Sequence, residues 1–305
     1  MANASQTRLA YVVESTWGTT PATPSFQNAR FVSESVNANI ENIPSNEIRA
    51  DRNTTDLIQV GSSAGGAIDF ELSYGSFDDW LESVMYNTWS TNVLKNGSTE
   101  KSFTLEKTFE TGATDQYHRF TGAVAGSMSL SMAVGAIVTG SVEFMAKGTT
   151  SAQAIITGAT YTGTNSNDVI NAASNFASLS MTGVTSPELT ALDINITNNL
   201  RAQQVLGSID ARGIAEGRFE VTGSGTAYFE NQEMFELFLA GTAADLSFKL
   251  GGASSKNYVF DLPNIKFGSV EVVAGGNDQD LLANFTFTAL YDSGESASLK
   301  ITRTA

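Results

Sequence analysis

Ile68-Asp69-Phe70-Glu71-Leu72-Ser73-Tyr74 alternates apolar and polar residues over seven positions. In a strand, that period of two sends the apolar set to one side and Asp69, Glu71 and Ser73 to the other. The stretch reads as a half-buried strand, with one side against a core and one side wet. Runs of the same kind recur at Met128-Ser129-Leu130-Ser131-Met132, Val142-Glu143-Phe144, Phe219-Glu220-Val221-Thr222, Val270-Glu271-Val272, Phe285-Thr286-Phe287-Thr288-Ala289 and Leu299-Lys300-Ile301-Thr302, separated by Gly-, Asn- and Ser-rich turns. The expected class is mainly β. Helical spacing stands out twice. Phe77, Trp80, Leu81, Val84 and Met85 follow Ser76 as a cap, with Asp78 and Asp79 at the positive end, and Met234, Leu237 and Phe238 follow Glu233.

The chain has 305 residues, room for one large β-domain or two ordinary ones. Lys and Arg number 17 against 32 Asp and Glu, a net charge of −15, which argues against a surface built to grip nucleic-acid phosphates. Hydrophobic residues make up 41% of the chain, too many for disorder, and no run approaches a membrane-spanning helix. The start of the chain has neither a basic region nor an apolar stretch behind it, so the expectation is a soluble, folded protein made in the cytosol. Without cysteine there is no disulfide, thiolate metal site or thiol nucleophile.

Both helical segments follow a strand carrying a tyrosine, Tyr74 or Tyr228, and both precede a strand-rich stretch. The halves align loosely: Asn39-Ile40 with Asn195-Ile196, Gly61 with Gly217, Phe103-Thr104-Leu105 with Phe248-Lys249-Leu250, Phe120 with Phe260, Ser127-Met128 with Ser269-Val270, and Val142-Glu143-Phe144 with Phe285-Thr286-Phe287. Chance alignment of two β-rich stretches is the alternative, but the shared order of strand, helix and strand set favours a duplication. The expected organisation is an N-terminal arm over 1–30, a first domain over 31–147, a Gly/Ser/Thr/Asn-rich connector over 148–176 with a short apolar piece at Ala154-Ile155-Ile156 and one hairpin, and a second domain over 177–305. The polar stretch from Ile40 to Gly66 reads as a binding or assembly loop.

Catalytic chemistry finds little support. Gly61-Ser62-Ser63-Ala64-Gly65 fits the G-x-S-x-G elbow, but a strand follows where a helix is needed, and the one histidine, His118, sits in a strand entry. A His-based zinc site needs more histidines. Asp and Glu are scattered over many strands with no pair that marks a glycosidase. The loop Gly275-Gly276-Asn277-Asp278-Gln279-Asp280 lacks the closing Glu of an EF-hand and reads as a polar turn. No Walker or dinucleotide motif is present. The expectation is a non-enzymatic protein without cofactor or metal.

Tyr11-Val12-Val13-Glu14-Ser15-Thr16-Trp17-Gly18-Thr19-Thr20-Pro21-Ala22-Thr23-Pro24 resembles the opening arm, E-x-T-x-G-T-x-P, of tail tube proteins from bacteriophages with long, flexible, non-contractile tails. The acidic, Ser/Thr/Gly-rich composition and the two-helix layout extend the likeness over most of the chain. The resemblance implies two tandem β-sandwich, barrel-forming domains, each with a short helix, whose inner sheets join across subunits into one barrel. It further implies rings stacked into a virion tube for genome ejection, and as partners sister copies, a tape measure protein and tail terminator and tip proteins. The resemblance likewise implies that DNA passes through without specific binding and that no membrane is involved. A duplicated subunit would supply six domains from three chains; without duplication six chains are needed. Six domains of four strands make ~24 strands, which at ~4.8 Å spacing and ~40° tilt give a diameter of about 48 Å. Side chains reduce this to roughly 40 Å, wider than a duplex of about 20 Å.

Such a wall must not capture phosphates. Asp69, Glu71, Glu143, Glu220 and Glu271 are candidates to face the lumen, the alternative being outer solvent. Trp17, Glu47, Arg49 and Arg52 are candidates for ring-to-ring contacts, although Trp17 could instead cover its own domain. The competing reading from another class is an extracellular carbohydrate-binding or adhesin β-sandwich.

Overall fold

Alternating runs need a partner on each side to satisfy their backbone groups, and here nearly all of them find one in a single hydrogen-bonded network. The computed structural model describes residues 4–112, 114–274 and 276–305. Residues 1–3 of the expected arm, and Gly275 of the expected polar turn, lie outside the described residues.

The first half contains β1 (Thr7–Val13), β2 (Ser25–Asn28), β3 (Ser33–Glu34), β4 (Asn37–Pro44), β5 (Leu57–Glu71), helix α1 (Asp78–Met85), β6 (Val93–Lys95), β7 (Phe103–Phe109), β8 (Gln116–Ala133) and β9 (Thr139–Ala146). Then come β10 (Gly148–Ala152) and β11 (Thr160–Thr162). The second half contains β12 (Phe176–Met181), β13 (Leu189–Thr197), the small β14 (Arg201–Gln203) and β15 (Gly213–Ala215), β16 (Glu220–Tyr228), helix α2 (Glu233–Ala240), β17 (Ala244–Gly251), β18 (Asn257–Val273), β19 (Leu282–Ala289) and β20 (Lys300–Thr304).

β8 and β18 are long enough to serve two layers each. The C-terminal part of β8 lies between β9 and β13, and the C-terminal part of β18 pairs with β19. With β4–β5, β5–β9, β13–β16 and β16–β19, these pairings make one ribbon in the order β4-β5-β9-β8-β13-β16-β19-β18. The N-terminal parts turn into outer sheets: β11-β2-β1-β7-β8-β10 on one side and β12-β17-β18-β20-β6 on the other. Glycine bulges mark both turns. Gly126 is skipped between Ala125 and Ser127 in β8, and Gly268 between Phe267 and Ser269 in β18.

The core lies between the ribbon and the outer layer. Trp80 of α1 is 1% exposed and packs against Tyr11, Phe70, Phe77 and Phe144. Ser76 does not cap α1 as expected. Phe77 occupies the cap without a side-chain bond, because the Ser76 hydroxyl is engaged with Ser73 and Asn165. Asp78 instead holds the helix start against the second half through Tyr258 Oη, 2.5 Å away, and Arg303.

Two further expectations are corrected. The stretch from Ile40 to Gly66 is not an irregular loop: β4 and β5 run along both sides of it as a hairpin. Its alternation is weak because neither side of the hairpin stem is buried, so nothing required an apolar period. The segment from 148 to 176 forms no hairpin of its own, since its two strands do not pair with each other. Instead β10 adds to β8 and β11 lies parallel to β2, both extending the first half's outer sheet.

Candidate functional site

Each strand of the ribbon places alternate residues in the core, so the remaining residues form one continuous face on its far side. Ile68 and Phe70 are buried, which puts Asp69 and Glu71 on that face. By the same alternation Glu143 stands between buried Val142 and Phe144, Glu220 precedes buried Val221, and Glu271 follows buried Val270. All five acids singled out from the sequence therefore share one face of one sheet. Asp193, between buried Leu192 and Ile194, is a sixth. Sequence reading passed over it although Leu192-Asp193-Ile194-Asn195-Ile196 carries the same signal.

Between the acids the face is short and neutral: Ser127, Ser129 and Ser131 on β8, Thr222, Ser224 and Thr226 on β16, and Asn284, Thr286 and Thr288 on β19. Cross-strand hydroxyl bonds tie it together, including Ser269 to Thr286 at 2.8 Å and Thr226 to Asn284 at 2.9 Å. Lys266 is the only Lys or Arg in the ribbon. Asp69 accepts from the Ser141 and Ser33 hydroxyls, which hold its carboxyl below the usual carboxylate range, and Arg218 does the same for Glu220.

The ribbon ends in two unpaired margins among the described residues. The outer side of β4 has no partner, and β17 stops at Ile265, leaving Lys266–Val273 of β18 open on that side. Unpaired edges of this length template the addition of another strand.

The remaining candidates fall elsewhere. Glu47, Arg49 and Arg52 sit in the exposed tip of the β4–β5 hairpin, where Arg49 is paired with Asp51 at 3.0 Å. Trp17 is half-buried within its own chain, beside Tyr86, Val124 and Ile214, with Lys147 Nζ 5.0 Å from its ring centre. Ser63 lies mid-strand in β5, and His118 is exposed in β8, edge-on to Phe109 at 5.1 Å. No group of three or more His, Cys, Asp or Glu able to hold a metal occurs among the described residues, and no helix there is long and apolar enough to cross a membrane.

The arm that carries the E-x-T-x-G-T-x-P pattern has a physical centre in Glu14. Its buried carboxylate accepts from the Gly18 and Gly122 N–H groups at 2.7 and 2.9 Å, and from the Ser102 and Thr104 hydroxyls at 2.9 and 2.8 Å. The turn at Gly18, with φ of 71°, is thereby fastened to β7 and β8. A family model described as phage tail tube protein matches residues 4–289. No curated protein matches the chain.

Proposed function

The chain belongs to the phage tail tube protein family, and from that premise we propose that it polymerises as stacked rings into an acidic-lined conduit for genome ejection. A structural role in the virion follows from the family; ring order, lining and transport go beyond it. Its main support is the ribbon itself, with eight strands, both margins open, and a far face holding at least six acids against one lysine. Closing such a ribbon on sister copies removes the exposed edges. An acid- and hydroxyl-rich wall gives a polyanion little to bind.

We infer that the halves are tandem tube domains over 31–147 and 177–305, joined by 148–176, with three chains completing a pseudo-sixfold ring. Two rows of paired residues support the equivalence. Asn37, Gly65, Met145 and Val124 run across the first half, and Asn195, Thr222, Thr288 and Lys266 across the second, each ending two residues before the bulge glycine. Followed from Asn195 into the first half, pairing passes through Ser129, Ser141 and Asp69 to Ser33, four residues short of Asn37. The stagger is thus about one residue per strand, the ratio of an eight-stranded barrel of shear 8, which tilts its strands by about 36°. Three chains then give ~24 strands and a diameter of about 45 Å.

Ring-to-ring contact falls first to the hairpin tip with Glu47, Arg49 and Arg52, since Trp17 is occupied within its own chain. Tape measure, terminator and tip proteins are the further partners. Negative-stain microscopy of concentrated protein should show rings or tubes, and only isolated monomers, also in the presence of tail initiator, would contradict the reading. Replacing Asp69, Glu143, Glu220 and Glu271 by Lys should slow ejection in tubes that still assemble; unchanged ejection removes the acidic-lining role.

A further inference from the structure

We propose that the junction between the two halves of this chain is a working copy of the contact between chains. It sets that contact's strand register and assigns the β4–β5 hairpin to the neighbouring copy's second half. This rests on the tube reading only in taking a second copy of the chain as the partner.

The internal junction has two parts. Along the edge, β8 and β13 pair from Ala133 opposite Ala191 to Ser127 opposite Thr197, with Ser129 facing Asn195. Above it, the segment between β13 and β16 folds over the first half. The Ser62 N–H donates to the Ile209 carbonyl at 3.1 Å, and Ile214, 7% exposed, packs with Tyr86 and Val124.

The open margins repeat both parts without an occupant. Ser129 is the third residue after the bulge glycine of β8, and Glu271 is the third after that of β18. Asn37 holds the place of Asn195 in its row. Transferring the register sets Glu271 opposite Asn37 of a second copy, Ser269 opposite its Asn39 and Val272 opposite its Val36. The hairpin stem of the first half corresponds to the segment that carries Ile214, yet Leu57 is 61% exposed and Ile58 51%. Exposed apolar groups also stand at the receiving stations of the second half. Leu239, 68% exposed, is in the last turn of α2, as Tyr86 directly follows α1, and Tyr291, 63% exposed, lies just beyond β19. Apolar surface bare on both sides of one contact is what a second copy would cover.

The absence of cysteine leaves a clean background for cross-linking. The Asn198 N–H donates to the Gly126 carbonyl at 2.8 Å, so by alternation Ser129 and Asn195 form a non-hydrogen-bonded pair. In such a pair the Cα atoms lie closest, at a separation a disulfide can bridge. The S129C/N195C variant should therefore close an intramolecular disulfide under mild oxidation and sets the scale for the rest. The N37C/E271C variant should link chain to chain, giving dimer and trimer bands from concentrated, ring-containing protein. N39C/E271C, two residues out of register, should lose that product. Ile58→Asp should abolish rings while leaving the monomer's melting temperature unchanged. Rings by microscopy with no N37C/E271C link, a stronger link in N39C/E271C, or undiminished rings in Ile58→Asp overturn the proposal and leave the tube reading standing. Monomers throughout, with no link, remove both.

Discussion

Glu14 carries four hydrogen bonds from a single buried carboxylate. Removing it strands backbone and hydroxyl donors between the arm, β7 and β8. Glu14→Ala should lower unfolding free energy by about 3 kcal/mol in urea melts, the range for leaving buried donors unpaired beside a lost charged acceptor. Nothing in the sequence marked this residue as anything but part of the arm pattern, because its partners are 88 to 108 positions away or in a local turn. Asp69 was legible, since alternation alone placed it on the polar side. Hydroxyls from Ser141 and Ser33 depress its pKa. A folded-state pKa below the unfolded value contributes stability above roughly pH 4, lost as pH falls through the folded value. An NMR titration should find Asp69 protonating below the ordinary aspartate range as pH is lowered, and Asp69→Asn should remove that acid-side loss of stability.

At the level of elements, strands with one wet and one dry side were plain in the sequence, and so were both helices, whose apolar spacing needs no partner to be read. Trp80 sits where α1 closes over the ribbon, touching Phe70 and Phe144 from two of its strands. Trp80→Ala should cost about 4 kcal/mol, in the range for a large cavity in a packed core. Chemical denaturation reads it directly. The hairpin of β4 and β5 was not legible, because a strand solvated on both sides has no reason to alternate. Matching the halves by residue type also had limits. Ser127-Met128 and Ser269-Val270 fall together in hydrogen-bond register, each directly after a bulge glycine. Tyr228 instead shares its register with Glu71 rather than Tyr74, and Phe103 with Ala244 rather than Phe248. In those places packing tolerates different residues at equivalent stations, so identity misleads where pairing does not.

For the whole molecule, the polar face was foreseeable only as a set of separate acids, since alternation defines two sides of each strand without saying that eight strands share them. That union depends on β8 meeting β13 across 58 to 70 positions of chain. It also isolates Lys266, the ribbon's one cation, two residues before the Gly268 bulge and beside an open margin. If three chains close the proposed ring with this face inward, the side chain would recur three times at every level of the bore, and a passing genome would meet a regular series of faint brakes set in an otherwise repelling channel. Lys266→Ala should speed ejection at low ionic strength, and the gain should vanish in concentrated salt, where phosphate contacts are screened. The pace of delivery would then be set by how sparsely attraction is spaced along the path as much as by repulsion.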